Sequence, residues 1–296
     1  MNIMIPYGKA ICYSGYRLGQ SPKTEIPTVE QIGEDLEILV QDGYRYLRMY
    51  DPNLHARRVL EAIRIYHLPL QCMIGIDSDP EVNNPNCPWE KQEMTDKELE
   101  QNRLRNDAEL EKLIEMTKEF AEEIIAVSIG NENTPSWGAH TVPVERLMAH
   151  ARRLKEALDK PVTFCEGAFE WLYLQELGDY LDFISIHSYP YHYGDAIEDA
   201  LAVNQKQYEE IRKQFPDKQV IFTEVGWSTN TTDPAAKSRA NVENQKTYLT
   251  ALNHWIASHR IIAFLFEAFD EPWKGRSEEV SECNWGLYTV DRKKKW

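Results

Sequence analysis

Eight short apolar, β-rich runs recur along this 296-residue chain, most of them separated by segments whose apolar residues fall three to four apart. The runs are AICYSG (10–15), YRYLRMYD (44–51), LPLQCMIGID (68–77), IIAVSIGNEN (124–133), PVTFCEGAFE (161–170), LDFISIHSYP (181–190), QVIFTEVGWS (219–228) and IIAFLFEAFD (261–270). Between them lie VEQIGEDLEILVQD, LHARRVLEAIRIYH, RLRNDAELEKLIEMTKEFAEE, VPVERLMAHARRLKEAL and the stretch 196–215. Strand-length runs alternating with helical periodicity imply βαβ units and a parallel sheet. Eight units in this length predict an α/β chain folded as a (β/α)8 TIM barrel. An open doubly wound sheet is the alternative, but no GxGxxG follows the first strand. The fifth unit has only WLYLQELGDY between its strands, so its helix must be short. The third carries DSDPEVNNPNCPWEKQEMTD (77–96), rich in Pro and Asn, which reads as a long loop. With no repeat and no linker, residues 1–296 are expected to form one domain.

Charge removes several classes of partner. With 48 acidic against 33 basic residues the net charge is −15, a field that repels nucleic acid and anionic lipid. No run of about 18 apolar residues is present to span a bilayer. The N-terminus, MNIMIPYGKAICYSGY, lacks the basic start and long apolar middle of a signal peptide. A cytoplasmic protein is expected from the chain as it stands, or a secreted or periplasmic one if a leader has been removed. The cysteines, Cys12, Cys72, Cys87, Cys165 and Cys283, are odd in number and form no CxxC pair, which fits a reducing compartment.

The fourth run raises a chemical question: a strand bound for the interior ends on Asn131, Glu132 and Asn133. A carboxylate there is costly to desolvate unless it is paired, hydrogen-bonded or used. In a barrel of this kind the C-terminal strand ends line the active site. Those ends are Tyr13; Arg48, Tyr50 and Asp51; Asp77; Asn131 and Glu132; Glu166; His187 and Tyr189; Glu224 and Trp227; and Glu267, Phe269, Asp270 and Glu271. Glu132 on the fourth strand and Glu224 on the seventh form a candidate pair for glycosidic cleavage. That reaction needs one protonated acid for the leaving oxygen and one ionised carboxylate to attack or stabilise the oxocarbenium-like carbon. Taken alone, Glu224 serves equally well in a structural ion pair with an arginine. His187 reads either as a satisfied core imidazole or as part of the site, and Tyr189 beside it could hydrogen-bond Glu224. No HExxH, useful histidine spacing or EF-hand pattern is present, so neither metal nor cofactor is expected.

The chain resembles glycoside hydrolase family 17, the β-1,3-glucanase family of retaining barrel glycosidases. SIGNEN matches the family's acid/base strand, FTEVGWS its nucleophile strand and FEAFDEPWK its last strand; RMYD and NWGLY match as well, so the resemblance covers essentially the whole chain. It implies that Glu132 is the general acid/base, that Glu224 is the nucleophile and that Asn131 donates to the sugar 2-hydroxyl. Glu271 and Lys274 match an acid–lysine pair on the last strand. Arg48, Tyr50, Tyr189, Trp227, Phe269 and Trp273 complete the expected substrate-binding set. Trp89, Trp137 and Trp285 are further candidates for the floor of sugar subsites, with ordinary packing as the competing role. Eukaryotic members continue the nucleophile motif with Pro, where Ser228 stands here; chain length and the CPW-containing loop look like bacterial relatives.

The function implied is a retaining hydrolase of β-1,3-glucan or its oligosaccharides. A glucanosyltransferase using the same two carboxylates is the nearest alternative, and a non-catalytic glucan-binding barrel a more distant one. Because both positions are Glu rather than the shorter Asp, a short carboxylate separation and a covalent intermediate on Glu224 are expected.

Overall fold

The computed structural model describes residues 5–88, 90, 93–194, 196–275 and 279–296; Trp89 lies outside them. Eight parallel strands close a barrel in sequential order. They are β1 (Lys9–Cys12), β2 (Tyr44–Met49), β3 (Gln71–Ile74), β4 (Ile124–Asn131), β5 (Val162–Gly167), β6 (Ile184–Ser188), β7 (Val220–Val225) and β8 (Ala263–Leu265). Closure rests on Ala10 and Ile11 of β1 pairing with Phe264 and Leu265 of β8. The helices are α1 (Val29–Gln41), α2 (Leu54–Ile65), α3 (Asp96–Glu119), α4 (Val144–Ala157), α5 (Gln175–Tyr180), α6 (Pro190–Tyr193), α7 (Ala200–Gln214) and α8 (Val242–His259).

Strand periodicity divides the apolar side chains into two cores. Ala10, Cys12, Tyr46, Met73, Ala126, Cys165, Phe183, Ile221 and Phe264 pack together inside the barrel. Their neighbours in sequence, such as Ile11, Leu47, Ile74, Val127, Phe164, Ile184 and Phe222, belong to the larger core between sheet and helices. Both faces of each strand are therefore buried, which is why the strands read as continuous apolar runs.

The long loop of the third unit has neither helix nor strand among its described residues before Asp96, where α3 begins. It ends at a capping box, Thr95 with Glu98, which starts α3 well before the periodic stretch that announced it. In the fifth unit a single 3-10 turn, Glu170–Tyr173, and the short α5 replace a full helix. Among the described residues no helix is long and apolar enough to cross a membrane. Cys12, Cys72, Cys165 and Cys283 are buried, and no disulfide is formed among the described residues.

One buried clamp ties the C-terminal segment to the first helix. Asp35 on α1, fully shielded, accepts from Arg292 Nε and Nη2 at 2.7 and 2.6 Å and from the Tyr13 hydroxyl at 3.1 Å. Removing the carboxylate strands a nearly buried guanidinium. Asp35→Ala is expected to lower the unfolding free energy by about 3–5 kcal/mol. Chemical denaturation checks this, and a loss near zero would show that Arg292 finds water or another acceptor.

Candidate active site

The ending of β4 is built so that three consecutive polar side chains go three ways. Asn133 is buried; its Oδ1 accepts the Asn131 N–H at 2.9 Å and its amide donates to the His140 carbonyl at 2.8 Å. A Cβ at Gly130 would sit 2.2 Å from that Oδ1, so the turn requires glycine there. Glu132 takes a left-handed backbone, φ +48°, while its N–H bonds the Cys165 carbonyl at 2.9 Å. Such a conformation in a non-glycine residue costs roughly 1–3 kcal/mol and persists only where the surroundings enforce it. It directs the Glu132 carboxyl across the barrel mouth.

Glu224 faces it from β7. Arg48, buried on β2, donates to Glu224 Oε1 through Nη1 and to Asn131 Oδ1 through Nη2 at 2.5 Å. The Tyr50 hydroxyl donates to Glu224 Oε1 at 2.9 Å and the Tyr189 hydroxyl to Oε2 at 2.6 Å. Both readings of Glu224 thus hold: it pairs with an arginine and it reaches the site. His187 stands between the two carboxylates, its Nδ1 2.7 Å from Glu132 Oε1 and 3.7 Å from Glu224 Oε2. One ligand atom from each of the three groups lies within 4.8 Å of the others. The Glu132 side chain is 30 % exposed and that of Glu224 9 %.

These contacts polarise the pair. Burial would push the Glu224 carboxyl up, but the charges of His187 and Arg48 and the two tyrosine hydroxyls bring it down to about 2. Burial would depress His187, whereas Glu224, Cys165 and Glu132 raise it to about 10, so it is cationic at neutral pH. Glu166, buried behind Glu132, is pushed up to about 8 by burial and by the Glu132 charge, although Thr134 and the Gly167 N–H bond it. Glu132, His187 and Glu224 are the one grouping among the described residues with metal-ligand proximity. A cation there would have to displace the proton on His187 and settle beside the Arg48 guanidinium, so the donor set does not fit a metal.

A cleft of about 360 Å³ opens on the Glu224 side, lined by Ser14, Tyr16, Tyr50, Asp51, His55, Asp77, Asn131, Trp273, Lys274 and Glu282 among others. Tyr16 stacks on His55 with ring centroids 5.0 Å apart and meets the Trp273 edge at 5.4 Å. Lys274 Nζ lies 2.6 Å from both Glu267 Oε2 and Glu271 Oε2, and Ser14 donates to Glu271 Oε1. Burial and the neighbouring Glu271 push Glu267 well above the carboxylate range, while Lys274 and Ser14 hold Glu271 below it against burial. One ammonium is thus shared by two buried carboxyls.

The expected set divides in three. Asn131, Glu132, Glu224, Arg48, Tyr50 and Tyr189 converge, and Trp273 and Lys274 line the cleft. Arg48 and Glu271, both buried, act behind the surface rather than on it. The aromatics at other strand ends are corrected. Trp227 is fully buried against Tyr191 and Tyr248, with its Nε1 donating to the Arg239 carbonyl; Phe269 is buried between Tyr13 and Tyr288, and Trp285 beneath Tyr189 and Tyr191. None has surface left for a sugar. Ser14, Tyr16 and His55 were not anticipated, because they follow a strand or begin a helix and no strand-end reading reaches them.

A family model for the BtgE/BtgC glycoside hydrolase domain matches residues 10–286. The chain belongs to that family. This agrees with the family 17 resemblance. It is 29 % identical over 126 residues to a glucan 1,3-beta-glucosidase of Arthroderma benhamiae, covering 38 % of this chain and 41 % of the relative. It is 27 % identical over 179 residues to “Probable family 17 glucosidase SCW10” of Saccharomyces cerevisiae, covering 57 % and 44 %. The chain therefore spans less than half the length of these relatives. In fold it is similar to an endo-laminarinase from Formosa, with TM-score 0.83, 23 % identity and coverage of 96 % and 84 %. It is also similar to a β-1,3-glucanosyltransferase from Rhizomucor miehei, with TM-score 0.74, 19 % identity and coverage of 97 % and 95 %.

Because Glu224 is held at about 2, it stays ionised until the pH falls through that value, and the acidic limb of kcat/KM is expected below the ordinary carboxylate range. Tyr189→Phe and Tyr50→Phe each remove a hydrogen bond that favours the ionised form. Each should move that limb upward, by up to about one pH unit. A pH–rate profile with an unmoved limb would show that the hydroxyls do not tune Glu224.

Proposed function

We propose that this chain, as a single catalytic domain, cleaves β-1,3-glucan or its oligosaccharides with retention of configuration, Glu132 acting as general acid/base and Glu224 as nucleophile. The observation that carries this reading is the approach of the two carboxyl groups, whose nearest oxygens lie within 4.8 Å with His187 between them. An inverting pair needs room for water, about 6.5–9.5 Å, whereas direct attack needs about 5–5.5 Å. The linkage is supported by the β-1,3-glucan names of a curated relative and of two fold neighbours.

In the first step Glu132 gives its proton to the glycosidic oxygen as a Glu224 oxygen bonds the anomeric carbon and the carbon–oxygen bond to the leaving group breaks. Negative charge disappears from Glu224 and appears on Glu132. His187, cationic and in reach of both, faces a carboxylate at 3.7 Å before the step and one at 2.7 Å after it. The imidazolium therefore stabilises both ends of the transfer without moving. Asn131, fixed by Arg48, presents its amide nitrogen to the sugar 2-hydroxyl. In the second step the oxygen of water, or of a sugar hydroxyl if the enzyme works as a transferase, bonds the anomeric carbon as Glu132 takes its proton and the bond to Glu224 breaks, returning a carboxylate.

Glu132→Gln and Glu224→Gln should each lower turnover of laminarin by several orders of magnitude with folding retained. Near-normal activity in either variant removes that residue from its role. Proton NMR of the first turnovers should show a β-configured product. An α-anomer appearing before mutarotation would overturn the double displacement.

A further inference from the structure

His187 has two ring nitrogens, and the contact with the acid uses one of them. Nδ1 lies 2.7 Å from Glu132 Oε1. Nε2 is buried and meets no oxygen or nitrogen acceptor among the described residues. An imidazolium N–H left idle in the interior is costly, so this nitrogen needs a partner of another kind. Sulfur supplies it: the Cys165 side chain is in hydrogen-bonding contact with the His187 ring.

The fold places that sulfur beneath the ring. β5 and β6 pair with Cys165 opposite Ser185 and Gly167 opposite His187. Cys165 packs with Phe183 in the inner core, and strand alternation turns His187, four residues past Phe183, to the same side. Cys165 therefore lies one step deeper in the barrel than the imidazole. Its carbonyl meanwhile accepts the Glu132 N–H at 2.9 Å. One residue thus touches the acid through its main chain and the imidazolium through its side chain. Cys12, the neighbouring inner-core thiol, is different. Its Sγ donates to the Thr223 carbonyl at 3.5 Å, and burial pushes it up to about 12. Burial acts on Cys165 as well, but the Arg48 charge and the His187 ring bring it below the ordinary thiol value. Cys12 is a donor, whereas Cys165 is surrounded by groups that favour an acceptor.

We infer that Cys165 is a positioning residue for the reaction, its sulfur accepting the Nε2–H of His187 so that Nδ1–H stays aimed at Glu132. This rests on the functional reading above. The proton on one ring nitrogen of a histidine is set by the bond the other makes. Sulfur is a weak acceptor, so it holds the N–H without competing with Glu132 for the imidazolium charge. The charged groups facing the ring are Glu132 from the end of β4, Glu224 from β7, Arg48 from β2 and Glu170 from the 3-10 turn after β5. Glu132 and Cys165 bond the ring, and the others act on it through charge.

Nitrogen-15 NMR of the histidine rings follows His187 directly in the free enzyme. In Cys165→Ala the ring should lose its proton about one pH unit below the wild-type value. Turnover of laminarin should fall about tenfold in kcat with KM within about twofold, since the sugar contacts are untouched. Cys165→Val, which fills the space without an acceptor, is expected to match alanine. Cys165→Ser restores an acceptor oxygen and should keep kcat within about threefold of the wild type. In a His187→Gln background, adding Cys165→Ala should cost less than about twofold, because the two residues act as one unit. An unmoved His187 titration in the alanine and valine variants, or additive losses in the double variant, overturns the role and leaves the catalytic assignment standing. Equal losses in valine and serine overturn it as well, since they point to packing. A wild type that does not cleave laminarin overturns the functional reading and the positioning role with it.

Discussion

The mouth of the barrel depends on one buried guanidinium. Arg48 reaches from β2 to Glu224 and the Thr223 carbonyl on β7 and to Asn131 at the end of β4. None of these strands neighbours another in the sheet, so the contact braces the barrel across its interior rather than along its hydrogen-bonded wall. Taking both charges out of water costs several kcal/mol per ion, and the return is recovered only with good geometry and further hydrogen bonds. Tyr50 supplies part of that, stacking its ring 4.4 Å from the guanidinium while its hydroxyl shares Glu224. The same contacts keep the carboxylate ionised, so stability of the mouth and readiness of the nucleophile have one origin.

Local charge at the site departs from that of the whole molecule. The chain carries a net charge of −15, yet Glu132, Glu224, Glu267 and Glu271 each have a cationic side chain within 2.7 Å. Arg48 and His187 serve Glu224 and Glu132, and Lys274 is shared by Glu267 and Glu271.

The barrel was legible because both faces of each strand are buried, which leaves uninterrupted apolar runs that composition alone cannot hide. What escaped was governed by other signals. α3 begins at a capping box rather than at the start of its apolar stripe, and α8 opens on the polar run VENQKT, which periodicity does not distinguish from loop. The two glutamates stood out because a carboxylate at an interior strand end has few innocent explanations. Aromatics have many: Trp227, Phe269 and Trp285 follow strand ends as Trp273 does, but large rings bury equally well on either side of a loop. His187 was undecided in the sequence because its role depends on two carboxylates brought to it from β4 and β7.

The left-handed backbone at Glu132 sets this residue apart from the rest of the site. L side chains avoid that region, and glycine occupies it freely. The residue that handles the proton is therefore held in a conformation that its own main chain opposes, by the Cys165 carbonyl on one side and the Asn133 turn on the other. Glycine at this position would abolish the acid and relax the turn at once. Selection for thermal robustness alone would drift toward loss of catalysis here, so in an evolving population activity and durability pull in opposite directions at this single residue.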